Sequence, residues 1–184
     1  MYNGGLMLFP NPKPNKTYCV GVDGSLTSTG VYCLPIGHDE WYGWATITNA
    51  KSGSDTRRVM DMAADITDCM DNLPYAPACV VFEDYGPINR TSGKVAQRAE
   101  LCGIIKHHVL RVLRIPVITI PPTSLKQFST GKGNSDKNAV RTAAAKLNYF
   151  PETHDEADAF FAARLGACIY HDEPVTVGYT VNMP

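Results

Sequence analysis

The sequence lacks the marks of several protein classes. Its 184 residues contain no CxxC pair, no internal repeat, no heptad pattern and no Gly/Ser-rich linker. No apolar run approaches the ~18 residues that span a bilayer, so no membrane partner is expected. Residues 1–16 have no basic start followed by an apolar stretch, which predicts no signal peptide and a cytoplasmic location. The six cysteines (Cys19, Cys33, Cys69, Cys79, Cys102 and Cys168) stand singly, mostly within apolar segments. That pattern reads as buried, reduced thiols rather than a disulfide framework or a zinc site. What is present, 44% hydrophobic and 19% charged residues, suits one ordinary domain with a core large enough to need no staple.

Net charge is also nearly absent, at −1, but the charge is segregated. Residues 89–146 hold eleven Lys and Arg against two acids, Glu100 and Asp136, a local +9 that leaves −10 for the rest. Such asymmetry fits either two solvated helix faces or a basic surface beside an acidic site, meeting a polyanion that needs both phosphate neutralisation and metal ions.

Periodicity divides the chain into an irregular arm (1–16), one domain (17–171) and a tail (172–184) that either adds a strand or wanders. Residues 17–22 alternate as a strand and stop at Asp23-Gly24-Ser25. Residues 29–34 and 41–48 are further strands separated by a turn at 35–40, which makes a three-strand antiparallel meander. Ser54 caps a helix reaching about residue 73, with Val59, Met62, Ala63, Ile66, Cys69 and Met70 on one face. Cys79-Val80-Val81-Phe82-Glu83 is a continuous apolar strand of the kind buried on both faces. A long helix over 92–114 turns Val95, Ala99, Cys102, Ile105, Val109 and Val112 inward. A fifth strand follows at 116–120, then a short helix at 125–130, a Gly-rich loop at 131–134, a helix from a Ser135 cap to about 147, and a last helix over 155–170. Three meander strands followed by alternating strands and helices predict an α/β protein: a five-stranded mixed sheet, with the fourth and fifth strands parallel to the first, flanked by helices. The ribonuclease-H-like fold has this order.

Acids stand at telling places in that plan. Asp23 ends the first strand, Glu83 ends the fourth beside it, and Asp155 and Asp158 lie three apart at the start of the last helix, on one face. A carboxylate at the end of a buried strand is costly unless compensated. Divalent cations with a taste for oxygen compensate it, and a pair of them can clamp a phosphodiester. Each acid also has a purely structural alternative. Asp23 suits an Asx turn, Glu83 an arginine partner, Asp155 a helix N-cap, and Asp158 the helix dipole.

Four blocks in order carry a family resemblance. Val20-Gly21-Val22-Asp23-Gly24-Ser25 with Thr29-Gly30-Val31 resembles the opening of RuvC-type Holliday junction resolvases. Val80-Val81-Phe82-Glu83 is similar to that family's strand-four glutamate. Leu125-Lys126-Gln127 and the stretch 131–137, with both lysines in register, resemble its lysine block. Asp155-Glu156-Ala157-Asp158-Ala159 matches its final helix start. The resemblance covers about residues 19–170.

This resemblance implies a crossover junction endodeoxyribonuclease that cleaves four-way junctions or other branched DNA by paired nicks, leaving 5′-phosphate and 3′-hydroxyl ends. Asp23, Glu83, Asp155 and Asp158 would hold two Mg²⁺ ions, with Mn²⁺ as a substitute, and no organic cofactor is implied. Lys137 would steady charge at the attacked phosphate. Lys126, Lys132, Arg90, Lys94, Arg98 and Tyr85 would contact nucleic acid, Tyr85 by stacking on a base. A homodimer would present two sites to a two-fold substrate. The loop at 86–92, the arm and the tail differ from the cellular resolvases and are like those of bacteriophage members, which places the protein in a host cytoplasm and suggests broader acceptance of branched DNA. Two other readings compete: a non-catalytic branched-DNA binder of the same fold, and a ribonuclease-H-type nuclease acting on RNA–DNA hybrids.

Overall fold

The computed structural model describes residues 17–37, 44–47, 55–73, 75–84 and 93–184. In chain order the elements are β1 (Thr17–Asp23), β2 (Thr29–Ile36), β3 (Trp44–Ile47), α1 (Asp55–Asp71), β4 (Pro77–Glu83), α2 (Gly93–His107), β5 (Val117–Ile120), α3 (Pro122–Thr130), α4 (Lys137–Ala145), α5 (His154–Tyr170) and β6 (Thr180–Asn182). They form one sheet ordered β3-β2-β1-β4-β5-β6. β1, β2 and β3 make the expected antiparallel meander, and β4 and β5 run parallel to β1. All five expected strands are present, and the sheet carries a sixth: the tail returns as β6, antiparallel to β5. Val177, Val175 and Val181 pack that tail onto the core.

Period-2 alternation sorts the strand residues between two helix layers. Tyr18, Val20 and Val22 of β1 and Val80 and Phe82 of β4 meet α1 and α2 through Val59, Met62, Ile66, Leu101 and Ile105. Cys19 and Cys79 face the other way with Val81, into the layer built by α3, α4 and α5. All six cysteines are free thiols. Asp23 shares the parity of Cys19, and Glu83 that of Cys79 and Val81, so both carboxylates belong to the α5 side.

Helix α5 lies close on the sheet because its inner face is small: Ala159, Ala163 and Gly166. Gly21 completes the fit. A Cβ there would stand 1.9 Å from the Ala159 carbonyl oxygen and 2.5 Å from the Ala163 amide nitrogen. At Gly30 a Cβ would stand 2.2 Å from the Asp155 carbonyl oxygen, so the first turn of α5 rests on β2. The glycines of the opening block are therefore what allow α5, and the acids on it, to reach the end of β1.

Three helix starts differ from the sequence reading. α3 begins at Pro122 rather than at residue 125, because proline is tolerated in the first turn of a helix. Asp136, not Ser135, caps α4, accepting from the Ala139 amide at 2.8 Å. Ser135 turns back instead to the Thr130 hydroxyl and the Lys132 carbonyl. Thr153 caps α5 in a full capping box with the buried Glu156. Asp155 is thus not a cap and is free for other work. Val112, expected to face inward, is 61% exposed. The chain after α2 winds as a π-helical turn, His108–Val112, which shifts the phase of the helix stripe.

Candidate active site

Register sets the floor of the site. β1 and β4 pair in parallel up to Val22 and Phe82, so Asp23 and Glu83, the next residues, end neighbouring central strands at the same level. Asp158 joins them from α5. Oxygens of Asp23, Glu83 and Asp158 lie within 4.8 Å of one another. Asp23 is 8% exposed.

Three carboxylates so close and so dry resist ionisation. Burial, then the neighbouring Asp158 and Asp155 charges, pushes Asp23 from 3.8 up to about 7, against the pull of Arg98. Glu83 rises from 4.5 to about 8, through burial and the charges of Asp23 and Asp158. Asp158 rises from 3.8 to about 6 by burial and Asp155, opposed by Lys137, Lys126 and Arg98. Asp23 and Glu83 lie close enough to act on each other directly, so they titrate as a pair.

The residues fit a divalent cation. The donors are all oxygen, which hard cations prefer, and burial first, with mutual repulsion after it, raises their affinity for protons, a cost that a bound cation would relieve. Asp155 lies one turn before Asp158, outside the tight group, yet its charge acts on both Asp23 and Asp158. Two of the four structural alternatives for the acids are displaced, those for Asp23 and Asp155. The turn after Asp23 is tied by Ser25 and Thr29 rather than by Asp23, and Asp155 is not a cap.

Arg98 occupies a position that its sequence pattern did not show. It was expected among the nucleic-acid contacts, at a four-residue spacing after Arg90 and Lys94. Its guanidinium also donates to Asp23 Oδ1 at 2.9 Å, inside the site. Lys137, at the first turn of α4, and Lys126, on α3, flank the other side, close enough to Asp158 to favour its charged form. Lys132 is exposed in the loop between α3 and α4. Lys94 lies in the first turn of α2, and the description of its side chain, like that of Tyr85 and Arg90 altogether, falls outside the described residues.

Comparison with known proteins bears on the fold that carries this site. No family model matches the sequence. The chain is 27% identical over 154 residues to the crossover junction endodeoxyribonuclease RuvC of Leifsonia xyli subsp. xyli, covering 81% of this chain and 71% of that protein. It superposes on Thermus thermophilus RuvC with a TM-score of 0.67 at 18% identity, over 85% of this chain and 96% of that one. T. thermophilus RuvC in complex with a Holliday junction substrate gives 0.67 at 17% identity, over 84% and 94%. This chain has the fold of RuvC. The yeast mitochondrial Holliday junction resolvase Ydc2 shares the fold more distantly, with a TM-score of 0.56 at 11% identity over 84% of this chain and 81% of that one. This shared fold, a mixed sheet with α5 across it, is what converges the three carboxylates. Among the described residues no helix is long and apolar enough to cross a membrane.

Proposed function

We propose that this protein is a divalent-metal-dependent, structure-selective endodeoxyribonuclease that cuts four-way junctions or related branched DNA. The convergence of Asp23, Glu83 and Asp158 within 4.8 Å carries the reading. Carboxylates repel a phosphodiester unless a cation stands between them. The substrate class comes from the relatives, one of which is named for crossover junctions and another solved with a Holliday junction substrate.

In this reading Asp23, Glu83 and Asp158 hold Mg²⁺, or Mn²⁺ in its place, at two ions per site, and Asp155 completes the ligand set. Such ions, when bound, lower the pKa of water and neutralise charge on the phosphate. Lys137 and Lys126, already near Asp158, offset charge that builds on the phosphate during attack. The water oxygen bonds to phosphorus, the bond from phosphorus to the 3′ oxygen breaks, and that oxygen leaves with the electron pair and takes a proton. The products are a 5′-phosphate and a 3′-hydroxyl. Lys132, Arg90, Lys94 and Arg98 serve the DNA backbone and Tyr85 a base. A homodimer sets two such sites against opposed strands, and the free thiols suit a reducing compartment such as the cytoplasm.

The test is cleavage of a synthetic four-way junction, a Y-fork, a linear duplex and an RNA–DNA hybrid, each with Mg²⁺ and with EDTA. Metal-dependent, symmetric nicks in the junction, lost in Asp23→Asn while junction binding persists, are expected. Cleavage of the hybrid alone would transfer the site to ribonuclease chemistry, and junction binding without cleavage would leave a non-catalytic binder.

A further inference from the structure

Beside the carboxylates lies a cleft of about 200 Å³ lined by Ser25, Leu26, Thr27, Arg58, Gln97 and Arg98. Among the described residues its lining holds two arginines, two hydroxyls and an amide, with no acid. Its floor is the turn between β1 and β2, and that turn is built rather than loose. The Ser25 hydroxyl donates to the Ser28 carbonyl at 2.8 Å and accepts from the Ser28 amide at 3.2 Å, and Thr29 Oγ1 donates to the Ser25 carbonyl at 2.7 Å. Arg58 reaches in from α1 and donates to the Leu26 carbonyl at 3.5 Å.

Arg98 joins this cleft to the carboxylate site, since the same guanidinium that lines the cleft touches Asp23. An arginine carries five N–H donors in a fixed fork. Nε of Arg98 is buried and makes no hydrogen bond among the described residues. A buried donor of a charged group left without an acceptor is costly, and an acceptor arriving from outside removes that cost. Positive charge, hydroxyl donors and a spare guanidinium N–H together select an anion with several oxygens.

Resting on the nuclease reading above, we propose that this cleft is a subsite for a DNA backbone phosphate next to the scissile one. The phosphate being cut sits at Asp23, Glu83 and Asp158. Its neighbour on the same strand sits one guanidinium away, between Arg58 and Arg98, and fixes the register of the strand across the carboxylates. Arginine suits that task because its planar fork positions a phosphate by direction as well as by charge.

The experiment combines a neutral linkage with a charge change at the rim. Four-way junctions carry a single methylphosphonate one nucleotide to either side of the cut, and binding is measured in EDTA. Thr27→Asp, at an exposed position, puts a negative charge at the cleft without touching the core. It should weaken binding to the ordinary junction by about tenfold and binding to one of the two neutral-linkage junctions by less than about twofold. Arg58→Gln should show the same loss of sensitivity at the same linkage. Equal weakening on charged and neutral junctions, or none on either, overturns the subsite. Thr27→Lys, which should bind at least as tightly as the wild type, guards against a mere folding defect. Wild-type cleavage of the unmodified junction with Mg²⁺ is read in parallel. Its absence would sink the nuclease reading, whereas cleavage with additive losses would sink the subsite alone.

Discussion

Without a cation, the stability of this protein should fall as pH rises from about 5 to 7, and a divalent cation should cancel the fall. Asp23 stands at about 7 in the folded chain against 3.8 for the free side chain, and Glu83 at about 8 against 4.5. Between those limits the folded state binds more protons than the unfolded state, so raising the pH favours unfolding. If the Asp23–Glu83 pair retains one proton that the unfolded chain has lost, each pH unit costs about 1.4 kcal/mol. From pH 5 to 7 the loss is about 2.7 kcal/mol, or roughly 5–10 °C in Tm for a chain of this size. A cation at about one hundred times its Kd contributes about 2.7 kcal/mol, which matches the cost. It does so only where the carboxylates have released their proton. The Tm difference between cation and EDTA should therefore widen from pH 5 to pH 7. Differential scanning calorimetry with Mn²⁺ or EDTA measures it, and Glu83→Gln, which cannot ionise, should flatten the EDTA profile and so separate this pair from histidine titration. An EDTA profile that is flat or rising over this range, or a cation effect independent of pH, would refute the electrostatic account of the site.

Arg98→Gln should tighten Mn²⁺ binding at pH 7 by about tenfold, because a cation no longer shares Asp23 with the guanidinium. It should weaken junction binding at the same time. Isothermal titration calorimetry without DNA reads the first effect, and unchanged or weaker metal affinity would contradict it. Gly21→Ala should cost about 3 kcal/mol in denaturant unfolding, since its methyl group meets the backbone of α5 and nothing there can rotate away. An unchanged unfolding midpoint would show that α5 does not depend on this close approach.

Much of this site is legible in the sequence, which places Asp23 and Glu83 at the ends of neighbouring strands. That both acids lie on the α5 face follows only once the packing of Cys19, Cys79 and Val81 is known, because a strand's period of two then fixes the parity. The three-residue spacing of Asp155 and Asp158 put both on one side of a helix. Helix boundaries were less secure, because capping is chosen by local geometry among neighbouring candidates. Asp136 and Thr153 cap where Ser135 and Asp155 were equally plausible by composition. The inward position of Val112 failed for a related reason: a π turn changes the phase without any residue announcing it.

The sequence by itself determined the three-strand meander, the parallel fourth and fifth strands and the positions of the acids at element ends. These follow from backbone periodicity and turn chemistry, which are properties of short segments. Only the tertiary structure decided that Asp158 rather than Asp155 joins Asp23 and Glu83 within 4.8 Å. It alone brought Arg98 across from the α2 layer to Asp23 and set it, with Arg58, around one cleft. Those contacts join elements far apart in the chain through long side chains. Their distances depend on how the layers pack, which no local spacing encodes.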